Sequence, residues 1–404
     1  MSVISGAKIK YGTKDEEKPL ERTEKPRSDS ARGASARRAL SVLLLLAIAS
    51  AAIAARVVGG ELSPAGFLRA WSTLTGSDRE ASFVFEDGFD DVFADIGGSV
   101  VSAGRSGAAV YGNDGEELAR ESFAMTSPAI ASGGALAVVY DSGGQSVRIV
   151  ERSGIVSSLT LESEIVSCSV GRGGVFAVTT RGTGEYRGRV EFFKLRGGVP
   201  EKIYDWFSGE GPALGAVSSK SGGRFAALTI TPRGGRIVLL DSRSTEPLGE
   251  YVYSGGAILE LEYMASGVLI ARTSDGLTAV SDNGEGSLIY DFAGRELDGY
   301  SAGGDAFIAM HFASAGGGEL VTIDERGREL GKLETSRELV WLSAAGDRIA
   351  VLRSDGLSLY DRELRLIASY PDASGASFAF ARGKTAAGAF GARSGRIFAE
   401  EPVR

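Results

Sequence analysis

The chain has 404 residues, of which 57 are Gly, 10 Pro, one Cys and one His, and its formal net charge is −8. The single Cys excludes an intramolecular disulfide framework and any thiolate zinc site built within one chain, and the single His excludes two-His metal motifs. With 43% hydrophobic residues the chain can bury a core, and its acidic balance argues against a nucleic-acid partner.

Residues 1–38 hold ten basic and six acidic residues and few large apolar ones, so they read as a disordered cytoplasmic tail. Ala39–Ala55, ALSVLLLLAIASAAIAA, carries no charge and is bracketed by Arg37–Arg38 and Arg56. As a helix it spans about 25 Å, and Val57–Val58 with a snorkelling Arg56 extend it toward a full bilayer crossing. Residues 39–58 therefore read as a transmembrane signal anchor in contact with the lipid bilayer. Basic residues cluster before it and only Arg56, Arg69 and Arg79 follow closely, which places the tail in the cytoplasm and the C-terminal bulk outside the cell membrane. Ala52-Ile53-Ala54 resembles a cleavage site, but the region before the apolar stretch is longer than a cleaved signal normally has. Residues 59–80 form a connector. Within it Ser63-Pro64 followed by AGFLRAWSTL reads as an N-cap, a Pro at the first helical position and a short amphipathic helix.

Residues 81–404 show no sustained helical period. Short apolar runs bounded by Gly, Asp, Asn and Ser read as strands and hairpin turns. One run recurs as Ser99-VVSAG, Ala135-LAVVYD, Val175-FAVTT, Arg224-FAALTI, Gly267-VLIART, Ala306-FIAMHF, Arg348-IAVLRS and Lys384-TAAGAF, with starts 36 to 49 residues apart. A second strand follows each copy, as in Arg236-IVLLDS, and a tight turn leads to a third, as in Arg365-LIASYP. Val92-FADIG, Pro128-AIASG, Ile165-VSCSV, Leu259-ELEYM, Leu339-VWLSA and Ser377-FAFAR are strands that precede copies. A period near 40 in an all-β chain points to a β-propeller of about eight four-stranded blades. A count of seven follows if Gly88–Phe123 or the last unit is irregular. The last unit has only three strands of its own, and Ser82–Asp87 is an orphan strand at the start of the domain. Supplying it as the outer strand of the last blade closes the ring and removes an open edge.

The residues offer little catalytic chemistry. Cys168 falls in an inner-strand pattern and reads as an inert thiol. His311 falls in a second strand, with no Ser or Cys identifiable as its partner, so it reads as a core or groove His with a satisfied ring. Glu260 and Glu262 alternate on one strand and share a face, as a solvated or channel-facing stripe does, although paired carboxylates also serve glycosidases. Asn113-Asp114-Gly115 reads as a hairpin turn rather than a calcium loop. No cofactor-binding or metal motif is present. Two long loops stand out: Thr179–Arg189, between the second and third strands of unit three, and Trp206–Pro212, between units three and four. Tyr186, Arg187, Trp206 and Phe207 in these loops are candidate binding anchors, because aromatics and Arg dominate interface hot spots.

A basic tail, one membrane helix and a propeller of Gly- and Asp-turn repeats resembles an uncharacterised "domain of unknown function" family of clostridia-like Gram-positive bacteria. Gly318-ELVTIDERGRELGKLE is also similar in texture to the pyrroloquinoline-quinone-type propeller repeat of quinoprotein dehydrogenases and outer-membrane assembly lipoproteins. Only Trp206 stands where that repeat places its blade-docking Trp, and no lipobox Cys lies near the apolar segment. The resemblance covers residues 39–404 and implies architecture and placement. The expected function is a non-catalytic binding or scaffold module of the cell envelope that meets an envelope protein or glycan through a propeller face. The alternatives are a sensor that signals to the tail and a carbohydrate-active envelope enzyme with carboxylates in its channel.

Overall fold

The computed structural model describes residues 80–85, 92–171, 173–304, 306–315, 317–335, 338–382 and 386–399. The expected tail, the 39–58 segment and the connector up to residue 79 lie outside these residues. Among the described residues no helix is long and apolar enough to cross a membrane. The described chain forms eight four-stranded antiparallel sheets. Blade 1 runs over residues 92–122, blade 2 over 128–160, blade 3 over 165–208 and blade 4 over 213–253. Blade 5 runs over 258–291, blade 6 over 296–335 and blade 7 over 339–370. Blade 8 comprises the strands Phe378–Arg382, Ala386–Phe390 and Ser394–Ala399, and its fourth strand is Ala81–Val84 from the start of the domain.

The expected closure is present. Ala81, Ser82, Phe83 and Val84 pair with Ile397, Arg396, Gly395 and Ser394. The Phe85 amide extends the ladder to the Arg393 carbonyl at 3.0 Å. The strand is shorter than the expected Ser82–Asp87, and residues 86 and 87 fall outside the described ones.

Burial follows position within a blade. Second strands such as Leu136–Asp141 and Phe307–Ser314 are buried on both faces, because each face packs on a neighbouring blade. They therefore read as continuous apolar runs rather than alternating ones. Outer strands such as Glu117–Ser122 are largely polar and solvated. The core is divided among eight apolar clusters of described residues, one at each seam between neighbouring blades. The seam between blades 8 and 1 is the most aromatic, with Phe83, Phe85, Phe93, Tyr111, Phe380 and Phe390 together.

The turns repeat as closely as the strands. In blades 6 and 7 an Asp begins the turn between third and fourth strands. Asp324 Oδ1 accepts the amides of Arg326 and Arg328, both at 2.9 Å, and its Oδ2 accepts Arg328 Nε at 2.7 Å. Asp361 accepts the amides of Glu363 and Arg365 and the Arg365 side chain in the same way. The left-handed corner of the first turn is Gly327, at φ +80°, where an added Cβ would collide with the Ile289 carbonyl. The corresponding corner is Leu364, at φ +61°, whose side chain is buried in the seam between blades 6 and 7. Burial offsets the strain that a side chain meets in this conformation.

In such meanders the connections from second to third strand and from blade to blade open on one face, called here the upper face. The remaining turns open on the lower face. Inner strands line the axis, where a cavity of about 1020 Å³ runs through the ring.

Candidate functional site

Two regions bring chemistry together: the upper rim of blade 3 and the axial cavity. Of the four candidate anchors, Tyr186 and Arg187 lie in the 182–187 loop of blade 3, as expected, and both are exposed. The structure corrects the placement of the other two. The fourth strand of blade 3 runs from Val199 to Ser208, so Trp206 and Phe207 belong to it rather than to a loop. Pairing with Val190 and Arg189 continues to the strand's end and overrides the Gly/Ser/Pro composition around it. The first loop is likewise shorter than Thr179–Arg189, because its flanking strands reach Arg181 and begin again at Gly188.

Strand alternation then separates Trp206 from Phe207. Trp206 packs with Ile203, Tyr204, Phe192 and Phe225 in the seam with blade 4. It is a docking residue between blades. Phe207 turns to the other face and meets Tyr186, with ring centroids 4.7 Å apart. Both remain exposed, at 41% and 42%. The Arg189 guanidinium lies over the Phe207 ring at 5.2 Å. Arg189 is itself held by Asp205 at 2.6 Å, Glu191 at 3.1 Å and Glu162, in the connection from blade 2, at 3.4 Å. Lys202 bonds the buried Glu191 at 3.0 Å and Asp205 at 3.2 Å. The hydrogen bond to Asp205 raises the Arg189 pKa, and the bond to Glu191 raises that of Lys202. This network fixes the Phe207 ring from beneath. Leu214 and Ile230 of blade 4 and Leu259 of blade 5 are also exposed, each near the upper end of its strand.

The cavity is lined chiefly by inner strands. Glu260 and Glu262 both line it, and Leu261 between them turns toward blade 4. Arg272 bonds Glu260 Oε2 through Nη2 at 2.9 Å and stacks over the Tyr300 ring at 5.3 Å. Burial pushes the Tyr300 phenol well up, with Glu260 and Glu262 adding to the effect, so it stays protonated. Farther around the ring stand Trp341 of blade 7 and Phe378 of blade 8, with centroids 5.0 Å apart, and then Phe93 of blade 1. At the lower end Arg382 pairs with Asp95 and bonds Asn113, tying blade 8 to blade 1. The sequence also places two carboxylates, Asp90 and Asp91, just before the blade 1 inner strand, and these fall outside the described residues.

His311 is fully buried. Its Nδ1 lies 2.6 Å from Asp298 Oδ1 and its Nε2 lies 2.9 Å from Thr335 Oγ1. Gly318, paired across the sheet with Thr335, leaves room for the imidazole, which would clash with any Cβ there. A base oriented by a carboxylate and facing a hydroxyl is the arrangement of a nucleophilic triad. Here the ring is enclosed, and the array ties the inner, second and outer strands of blade 6 together. Sequence spacing gave no sign of Thr335, which is 24 residues from His311. Cys168 lies on the inner strand Ile165–Val170 and packs at the seam of blades 2 and 3, and burial pushes its thiol pKa well up. Among the described residues no three His, Cys, Asp or Glu side chains are grouped to hold a metal ion.

Residues 73–203 match the sequence profile of DUF5711, a family of unknown function. No curated protein is significantly similar to the chain in sequence. Among solved structures, Sqt1 of Saccharomyces cerevisiae is similar with a TM-score of 0.55 and 13% identity, over 81% of this chain and 100% of that one. The C-terminal WD40 domain of Sif2 is similar with a TM-score of 0.53 and 14% identity, over 81% of this chain and 98% of that one. At these identities the likeness establishes the propeller fold.

Proposed function

We propose that the chain is a membrane-anchored, extracytoplasmic propeller that acts as a non-catalytic binding module of the cell envelope, docking a protein through the upper rim of blades 3 to 5. The observation that carries this reading is the exposed Tyr186–Phe207 pair braced by Arg189, on a rim where Leu214, Ile230 and Leu259 are exposed as well. Rigid exposed aromatics over an ion-paired Arg have the composition of an interface hot spot. Holding Phe207 from beneath also lowers the ordering cost of binding. The membrane anchor rests on the uncharged 39–58 stretch and the basic residues before it.

The test uses the full chain in intact cells, with a photo-crosslinking residue placed either at Phe207 or at Val199. Val199 is exposed at 60% and begins the same strand at the opposite face. A discrete protein adduct from position 207, weakened by Tyr186→Ala and missing from position 199, is the expected result. Equal labelling at both positions would overturn the docking surface. Protease added outside the cells should digest the propeller; full protection would overturn its extracytoplasmic placement.

A further inference from the structure

We infer that the axial cavity is a saccharide site that takes a short, neutral oligosaccharide, one ring stacked on Trp341 and its hydroxyls bonded by Glu260, Glu262 and Tyr300. This inference does not rest on the upper-rim docking surface.

The volume of about 1020 Å³ lies at the upper end of small-molecule pockets, roughly 300–1,000 Å³. Its wall changes character around the ring. Blade 5 supplies two carboxylates, blade 6 a phenol, blade 7 an indole and blade 8 two phenyl rings and a guanidinium. A pyranose has the same two-sided chemistry: an apolar face of C–H groups and a rim of hydroxyls. Its C–H face suits the electron-rich face of an indole, and its hydroxyls suit carboxylates and phenols, which accept and donate hydrogen bonds. Trp341 is 41% exposed within this concavity, and Phe378 braces its ring at 5.0 Å. An indole left 41% exposed in this concavity lacks the apolar cover that a stacked ring would supply.

The charges argue against other ligand classes. Of the acidic lining residues, Glu260 is paired with Arg272 and Asp95 with Arg382. These pairings make the wall poorly suited to a strong cation. Of its two basic lining residues, Lys220 and Arg382, the second is engaged by Asp95, so the cavity does not present the clustered basic groups an anionic phosphate ligand requires. Glu260 is also held in place by Arg272, and the half-buried Tyr300 phenol, which lines the cavity, stays protonated as a donor. Fixed polar groups of both kinds beside an aromatic platform make the site specific for polyols rather than merely sticky.

The experiment is isothermal titration of the purified full chain with chitotriose, cellotriose and maltotriose, and with choline as a cationic probe. One-to-one binding of at least one trisaccharide is expected. Trp341→Ala should weaken it by about tenfold or more, while Trp341→Phe retains most of it. Glu262→Gln should also weaken it, which provides a second variant if Trp341→Ala fails to fold. Leu366→Ala should leave sugar binding intact, because that exposed residue lies on the outer strand of blade 7, away from the axis. No heat from any trisaccharide up to about 10 mM, binding of choline alone, or wild-type affinity in a folded Trp341→Ala would each overturn the inference.

Discussion

The seam between blades 8 and 1 and the seam between blades 6 and 7 solve the same packing problem with different materials. The first is filled with rings: Phe83 meets Phe390 at 5.2 Å, and Phe85 meets Phe93 at 5.0 Å and Tyr111 at 5.3 Å. The second is mainly aliphatic, with Leu320, Leu342, Ile349 and Val351 around Phe307. It gains a parallel bridge between Gly304 and Gly346 and the polar array through His311. The difference lies in covalent continuity. In blades 6 and 7 a turn joins the third strand to the fourth. In blade 8 the fourth strand, Ala81–Val84, is held to its neighbour only by hydrogen bonds and side chains. Large aromatic surface replaces the missing turn, because aromatics bury the most area per residue.

The largest effect should come from that surface. Phe83→Ala is expected to cost about 3–5 kcal/mol by thermal or denaturant unfolding. The sharper readout is hydrogen exchange. Amides of residues 81–84 and 394–397 should lose protection together, whereas Phe307→Ala, at similar cost, should open blades 6 and 7 and leave the terminal strand protected. Finding the terminal strand equally exposed in both variants would end the comparison. Next in size is His311→Ala, which leaves Asp298 and Thr335 without their shared partner. A loss of roughly 1–3 kcal/mol is expected, less than for Phe83→Ala.

The smallest effect is a pH dependence in blade 6. The Lys332 ammonium bonded to Glu319, with Arg295 beside it, holds the Glu319 carboxyl below its ordinary value of 4.5. A depressed carboxylate stabilises the fold fully above that value and loses this contribution as pH falls through its lower folded value. Melting temperature should therefore drop on the acid side of about pH 4.5, and Lys332→Gln should make the drop shallower. An unchanged acid limb in Lys332→Gln would show that Glu319 does not contribute.

The propeller was largely legible because its second strands are unbroken apolar runs at a period near 40. The orphan strand at Ser82 announced the closure, since a three-stranded last unit leaves an edge. Two inner strands gave no such signal. Ala213–Ser218, ALGAVS, and Glu296–Ser301, ELDGYS, are small, Gly-bearing or polar, and the latter carries a register shift beside Asp298. Inner strands line the axial cavity, so these two carry no apolar run to mark them. At the upper rim the residue types were legible and their directions were not. Trp206 and Phe207 are adjacent in sequence, yet strand alternation sends one into a seam and the other to the surface. Arg189 and Asp205 became a site only through a cross-strand pairing that local composition does not encode. Trp341 was visible within Leu339-VWLSA, but nothing in the sequence placed it beside Phe378.

The entry of the first strand has a mechanical consequence. Ala81 enters blade 8 at the lower face and Val84 ends at the upper one. A pull on Ala81 directed away from the upper face would run along this strand, perpendicular to its hydrogen bonds. Its ladder would then be loaded in shear, all bonds sharing the force, rather than peeled apart one at a time. The strand that lacks a covalent turn to its neighbour is thereby placed where a pull is best resisted.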